Sequence, residues 1–163
     1  MDSDLGGCLF GMTLQTRPEE IYRALMEGIA FGKRMIIEQM ERAGVRCRLL
    51  YATGGVAKKN PLIMQIMADV LNREIMVPAI ANGSCMGSAM FGAVAAGRRG
   101  GGYDTIEEAV NAMGPPVGKT YIPSQSASVV YDALFEMYRE MYLYLGKDSS
   151  MLKRLAAMRG KEK

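Results

Sequence analysis

The stretch YATGGVAKKNPL, Tyr51–Leu62, sets two glycines and two lysines between an apolar run and a proline-containing helix start. The apolar run, Arg48–Thr53, is typical of a buried strand. Asn60 is a favourable N-cap and Pro61 suits the first helical turn, so a helix is predicted from there to Leu71. The stretch therefore predicts a strand, a glycine turn and a helix, which is the repeating unit of an α/β domain.

Upstream of this stretch, a strand and a long helix are predicted. Cys8–Leu14 is a short apolar run typical of a strand, and Thr16 with Glu19 has the spacing of a capping box. The helix that they begin would end at Gly44. Apolar and small residues recur along it at helical period: Ile21, Leu25, Gly28, Ile29, Gly32, Ile36, Met40 and Ala43.

Downstream, Arg73–Ala79 is predicted to be a strand and Asn82–Gly97 a helix. The small residues of that helix would let it lie close to a sheet or to another helix: Gly87, Ala89, Gly92, Ala93 and Ala96. Since helix-length crossovers join parallel strands, the order of elements predicts parallel strands covered by helices, an α/β architecture.

The carboxyl-terminal third is predicted to be mainly helical. Asp104 with Glu107 would cap a short helix, an extended piece would cover Lys119–Pro123, and a long helix would cover Ser126–Leu145, followed by a final short helix. One apolar stripe is predicted along the long helix: Val130, Leu134, Met137, Met141 and Leu145.

Composition narrows the function classes. At 163 residues, 49% of them hydrophobic, the chain is sized for one domain with its own core. The net charge of +3 is mild, and the basic residues crowd into the last turns, as in a solvated helix or terminus. The amino end lacks the pattern of a signal peptide, and the low-charge run Ile75–Gly97 is broken by proline and glycines. We therefore expect no binding to nucleic acid and none to membranes.

Cysteine and histidine usage narrows the chemistry. Cys8, Cys47 and Cys85 are far apart and form no CxxC pair, which indicates neither a disulfide framework nor a zinc site and favours a cytoplasmic location. The chain contains no histidine, the usual member of Ser-His-Asp and Cys-His systems and of most transition-metal sites. Any chemistry must therefore use carboxylates, lysines, backbone amides or a bound Mg²⁺. These groups favour phosphate chemistry.

The paired glycines are the candidate ligand site. After a parallel strand the chain emerges at the carboxyl edge of the sheet, where ligands commonly bind. Gly54 and Gly55 carry no side chain to keep a phosphate or ribose from the amides of Gly55 and Val56, and Asn60 would add a hydrogen bond. The pattern is neither GxGxxG nor GxxxxGK[ST], so the residues alone leave a simple turn open, and the adjacent lysines are equally compatible with solvation.

Several segments, in order, resemble the carboxyl-terminal part of the FGGY family of carbohydrate kinases, and within it the pentulose kinases. The segments are Gly7–Glu27, Ala52–Ile75, Gly87–Gly97 and Gly101–Val110. The second signature of the family is matched at Gly7, Leu9, Gly11, Glu20, Ile21, Ala24, Met26 and Glu27. Together the segments span nearly the whole chain.

The resemblance implies an actin-like, ribonuclease H-like domain, one of two that enclose ATP with Mg²⁺ and the sugar in this family. Residues 1–147 would form most of the second domain without its first strands, and residues 148–163 a basic helical tail. The residues expected against the ribose and phosphates of ATP or ADP are Gly54, Gly55, Val56, Lys59 and Asn60.

No catalytic residue and no metal ligand is assigned. In the family, the catalytic aspartate, the phosphate loop and most sugar contacts lie upstream of the matched region, and Asp2, Asp4, Asp69 and Asp104 do not stand in the matching context. Asp69 is expected to be a packing or capping residue. A pentulose would be bound only through the missing half, so this chain alone is expected to be inactive. Uncovered apolar surface and an open strand edge would make it a homo-oligomer.

Three functions remain open at this point. The first is the nucleotide-side domain of an ATP-dependent pentulose kinase, or of another sugar kinase of the family. The second is a stand-alone actin-like module that binds nucleotide without catalysis. The third is an interaction domain in which the glycine pair is only a turn.

Overall fold

The structure, a computed structural model, describes residues 6–159, in which helices alternate with short strands. The elements are α1 Pro18–Arg42, β1 Leu50–Tyr51, α2 Gly55–Lys59, α3 Pro61–Leu71, β2 Ile75–Pro78, α4 Gly83–Ala96, α5 Ile106–Met113, β3 Val117–Tyr121, α6 Gln125–Leu143 and α7 Met151–Arg159. Within the described residues, no helix is both long enough and apolar enough to cross a membrane.

The three strands form one sheet in the order β1-β2-β3. β1 pairs with β2 in parallel, with Leu50 opposite Ile75, and the backbone N–H of Ala52 extends the pairing by donating to the carbonyl of Met76 at 2.9 Å. β3 pairs antiparallel with the other side of β2, with Tyr121 opposite Ile75. The predicted parallel unit is therefore confirmed, and the piece predicted only as extended is the antiparallel edge strand.

The core lies where α1, α3 and α6 pack together over the sheet. Phe31 of α1, Met64 and Val70 of α3 and Phe135 of α6 are buried there, with Ile75 of β2 in the same cluster. Burial of these side chains removes apolar surface from water, and such removal is the main favourable contribution to folding. This three-helix cluster holds α3, which begins just after Asn60, in a fixed position against the sheet.

Asp69 joins α3 to the beginning of α6. Its Oδ1 accepts hydrogen bonds from the backbone N–H of Ser124 at 2.8 Å and from Nε2 of Gln65 at 2.9 Å. Its carbonyl accepts from the Ser128 hydroxyl at 2.9 Å. A buried carboxylate is tolerated because these donors replace water. The predicted packing or capping role of Asp69 matches these contacts.

The strand predicted over Cys8–Leu14 is wrong. Gly11 has a left-handed φ of +80°, a turn closes from Thr16 N–H to the Thr13 carbonyl at 3.1 Å, and Leu9, Phe10 and Leu14 are exposed. A strand needs a neighbour to pair its backbone groups, and none lies beside this segment in the described part of the chain. The buried strand predicted over Arg48–Thr53 is reduced to the two residues of β1, and Tyr51 is exposed.

The apolar stripes predicted for the two long helices are also mostly wrong about burial. On α1 the buried residues are Met26, Ala30 and Phe31, whereas Leu25 and Ile29 are 53% and 52% exposed. On α6 the buried face is a different one from the predicted stripe: Ser128, Tyr131 and Phe135 are buried, and Val130, Leu134 and Met137 are exposed. Periodicity located apolar faces, but it did not show which face has a partner within this chain.

Two predicted caps move by one residue. The backbone N–H of Arg17, not of Thr16, donates to the Glu20 carboxylate at 2.8 Å at the start of α1. At the start of α5, Thr105 Oγ1 accepts from the Glu108 N–H at 3.2 Å. In both places the next residue pair along the chain has the same spacing as the predicted pair, Arg17 with Glu20 and Thr105 with Glu108, and the local backbone selects that second pair.

Candidate functional site

Two strand-to-helix connections lie side by side at the carboxyl edge of the parallel pair. One runs from β1 through Thr53 and Gly54 into α2, and the other runs from β2 into α4. They are neighbours because β1 and β2 are paired in the same direction, so both chains leave the sheet at one edge. This is the edge at which the glycine pair was predicted to lie, and it is where open parallel sheets bind ligands.

The glycine pair leaves an uncovered surface. Gly54 has φ +97° and ψ −179°, a backbone conformation that is accessible almost only to glycine. A Cβ placed on Gly54 or on Gly55 would meet no atom within 4 Å. The space over both residues is therefore open to a ligand, and a side chain there would occupy that space rather than collide with the protein.

The backbone amides at the beginning of α2 follow directly from this turn. The N–H of Lys58 donates to the Gly54 carbonyl at 3.4 Å, so the amides of Gly55 and Val56 precede the first bond of the helix. Ala57 is buried and anchors the short helix, whereas Val56 and Lys59 are exposed. The turn therefore presents backbone donors, and Lys58 and Lys59 on the same short helix are both exposed.

Asn60 ends α2 and begins α3. Its N–H donates to the Val56 carbonyl at 3.0 Å, and its side-chain Oδ1 accepts from the Ile63 N–H at 3.2 Å. The predicted N-cap is confirmed. Because Oδ1 is used by the cap, the side-chain group left for a ligand is the Nδ2 amide, which is a donor and therefore suits a ribose or phosphate oxygen.

The carboxylates that were considered for catalysis have structural partners where the structure describes them. Asp69 is held by Ser124 and Gln65, and Asp104 Oδ1 accepts from the Arg98 backbone N–H at 3.2 Å. Asp2 and Asp4 lie outside the described residues. Among residues 6–159, no group of three or more potential acidic or cysteine ligands is gathered as a metal site.

Comparison with known proteins now places the chain. Residues 1–96 match the profile described as the FGGY family of carbohydrate kinases, C-terminal domain. The chain belongs to the FGGY family of carbohydrate kinases. The family resemblance drawn from the sequence segments is thereby confirmed.

The chain is similar to bacterial ribulokinases over nearly its whole length. It is 51% identical to a ribulokinase of Bacillus licheniformis over 159 residues, which cover 98% of this chain and 29% of that protein. It is 46% identical to a ribulokinase of Halalkalibacterium halodurans, covering 98% of this chain and 28% of that one. The chain thus spans less than a third of the length of these relatives.

Solved structures confirm the fold. A ligand-bound xylulose kinase from Lactobacillus acidophilus superposes with a TM-score of 0.74 at 25% identity, covering 90% of this chain and 28% of the other. The α/β, actin-like fold class predicted for the FGGY chain is therefore correct. In these three relatives, 71% to 72% of the length lies outside the match, so this chain corresponds to one part of each.

Sequence reasoning did not single out Thr53 or Gly83. Thr53 lies in the connection from β1 to α2, and Gly83 lies where the connection from β2 enters α4. The available signal was Gly83 itself, which stands alone at the first helical position of α4, after the N-cap Asn82. Its importance depends on a contact between distant parts of the chain, which a linear pattern does not contain.

Proposed function

We propose that this chain is the nucleotide-side part of an ATP-dependent ribulokinase, which transfers a phosphate from ATP to L-ribulose and yields L-ribulose 5-phosphate and ADP. The observation that carries the proposal is the open glycine edge at Gly54 and Gly55 in a chain that is 51% identical to a ribulokinase. Phosphoryl transfer depends mainly on positioning and charge stabilisation, and an exposed row of backbone donors serves that purpose.

Each proposed contact has a chemical role. Gly54 and Gly55 let the ribose and phosphates reach the backbone, the Val56 amide donates to an oxygen, Lys59 supplies positive charge and Asn60 donates through Nδ2. Mg²⁺ would be bound through the phosphates and residues outside this chain. The pentulose and the catalytic base would also be provided by the remainder of a longer kinase, so this chain alone would transfer no phosphate.

To test the proposal, the chain is titrated with ADP and Mg²⁺, and binding is monitored through the NMR chemical shifts of the backbone amides. We expect the largest shifts at Gly54, Gly55, Val56 and Asn60, because these amides would meet the ligand. Uridine diphosphate and ribose 5-phosphate serve as controls for general phosphate binding. Shifts confined to another face would contradict the proposed site, and no shift at millimolar ADP would contradict nucleotide binding by the chain alone.

We also propose that the chain by itself forms a homo-oligomer and is cytoplasmic. The free cysteines Cys8, Cys47 and Cys85 suit a reducing compartment. The exposed apolar residues of α1 suit association, because a row of such side chains on one helix is costly to leave in water. In a longer kinase the same row would be covered by the remainder of the chain.

Association through α1 predicts a specific mutational result. Ile29→Glu should shift the sedimentation coefficient of the chain toward that of a monomer, because a charge on the apolar row would be desolvated in the assembly. Ile122→Glu, at a position that is also exposed but lies near β3, is the matched control and should leave the assembly unchanged. A wild-type chain that sediments as a monomer would contradict the proposal.

A further inference from the structure

We propose that Gly83 is a positioning residue for the nucleotide site. Its missing side chain allows α4 to begin directly against Thr53, and this contact sets the position of the Gly54–Gly55 turn. The inference rests on the proposed function for its effect on nucleotide affinity, but the contact itself is a property of the ligand-free chain.

The geometry at Gly83 excludes any side chain. A Cβ built there would lie 2.9 Å from both Cβ and Cγ2 of Thr53 and 3.3 Å from its Oγ1. Carbon atoms in contact are normally separated by about 3.5–4.0 Å. Rotation of the Thr53 side chain cannot relieve the clash, because the Thr53 Cβ is bonded to the backbone and does not move with χ1. Relief requires a shift of the backbone at Thr53 or at the start of α4.

The two sides of this contact differ in their freedom to move. On the α4 side, the helix start is held by its N-cap, since Asn82 Oδ1 accepts from the Cys85 N–H at 3.2 Å. Before Thr53, Ala52 is held by its bond to the Met76 carbonyl. After Thr53, the turn at Gly54 and Gly55 has open space around it. The displacement would therefore pass into the glycine turn, where there is least to oppose it.

A displaced turn would present its amides in the wrong place. The ligand is bound by fixed backbone donors, and errors on the order of 1 Å in such positions can cost about 10²-fold where reacting groups must be aligned. For equilibrium binding, where the ligand can partly follow the amides, we expect Gly83→Ala to raise the Kd for ADP by about tenfold.

Gly83→Ala is compared with Gly87→Ala, one turn further along α4. A Cβ at Gly87 would meet nothing within 4 Å. Both substitutions put alanine into the same helix, and in neither position does alanine have a lower helix propensity than glycine, so a disturbance that is specific to Gly83→Ala reports the Thr53 contact. Two measurements are made on each purified chain: the amide NMR signals of Thr53 to Val56 without ligand, and the Kd for ADP with Mg²⁺. Urea unfolding shows whether each variant is folded.

The double variant Thr53→Gly/Gly83→Ala provides a rescue. Removing the Thr53 side chain deletes the three atoms that lie nearest to the new Cβ, including both that it would clash with at 2.9 Å. We expect the amide signals of the turn to move in Gly83→Ala, to remain in place in Gly87→Ala and to return toward those of Thr53→Gly in the double variant. The Kd for ADP should follow the same order.

The outcomes separate this inference from the proposed function. If the wild-type chain binds ADP and Gly83→Ala binds equally well, Gly83 is not a positioning residue. If the wild-type chain binds no ADP, the proposed function fails for the isolated chain, and the ligand-free amide signals still decide the contact. Signals of the turn that do not move in Gly83→Ala, or that move equally in Gly87→Ala, would overturn the inference.

The double variant decides the case in which Gly83→Ala does not fold. A folded double variant with an undisturbed turn would then support the inference, and an unfolded double variant would overturn it.

Discussion

Replacing Phe135 with alanine is expected to lower the free energy of unfolding by about 3–5 kcal/mol. The Phe135 side chain is fully buried at the junction of α1, α3 and α6. Its ring centroid lies 6.1 Å from that of Phe31 and 6.5 Å from that of Tyr138. The large effect is expected because removal of the ring leaves a cavity that three packed helices cannot easily fill.

The ring of Phe135 also supports a polar group. The guanidinium of Arg34 lies 4.2 Å above the ring centroid, and one of its N–H groups donates to the Val70 carbonyl at 3.0 Å. Without the ring, Arg34 loses both a cation–π contact and the surface that orients it toward α3. The loss therefore extends from α6 to α3.

Urea unfolding followed by circular dichroism measures this prediction. Phe91→Ala makes the same chemical change on α4, where the side chain is 68% exposed, and should change the stability by less than about 0.5 kcal/mol. Equal effects of the two substitutions would show that the three-helix cluster does not hold the chain together. Ile29→Glu can be included in the same series to separate association from folding.

Replacing Gly55 with valine is expected to raise the Kd for ADP by about a hundredfold, if the amides of the turn are the contact surface. The branched side chain would stand in the open space over the turn, where the ribose and phosphates would otherwise meet the backbone. A Cβ at Gly55 meets no atom of the protein within 4 Å, so the chain should still fold. The loss would then report exclusion of the ligand rather than damage to the domain.

Gly92→Val is the matched control for this variant. Gly92 lies on α4, is exposed and has no atom within 4 Å of its Cβ position, so valine there meets no neighbour, does not approach the glycine turn and is a better helix former than the glycine it replaces. Calorimetric titration with ADP should show wild-type affinity for Gly92→Val. Unchanged affinity in Gly55→Val would indicate that the glycine pair is only a turn, which is the interaction-domain alternative.

The sequence predicted the elements around the candidate site well, because their signals are local. Asn60 and Pro61 marked the start of α3, and the structure places the Asn60 cap as expected. The parallel pairing of β1 and β2 followed from the helix between them. The contacts of the nucleotide residues with ATP remain a prediction.

The small-residue helix shows where local signals stop. Its glycines and alanines were predicted to permit close packing, yet Cβ atoms at Gly87 and Gly92 would meet nothing within 4 Å. The close approach occurs at Gly83 instead, against Thr53. Small residues permit contact, but only the path of the rest of the chain determines whether another backbone arrives there.

By itself, the sequence determined the α/β order of elements, the helix caps near the site and the family to which the chain belongs, because each depends on residues that are neighbours or that recur in fixed order. Tertiary structure alone decided which apolar faces are buried, which strands have partners and that Gly83 meets Thr53. The physical reason is that burial and pairing require a second surface. Leu25 and Ile29 have the periodicity of a core, but within the described residues of this chain that surface is not supplied.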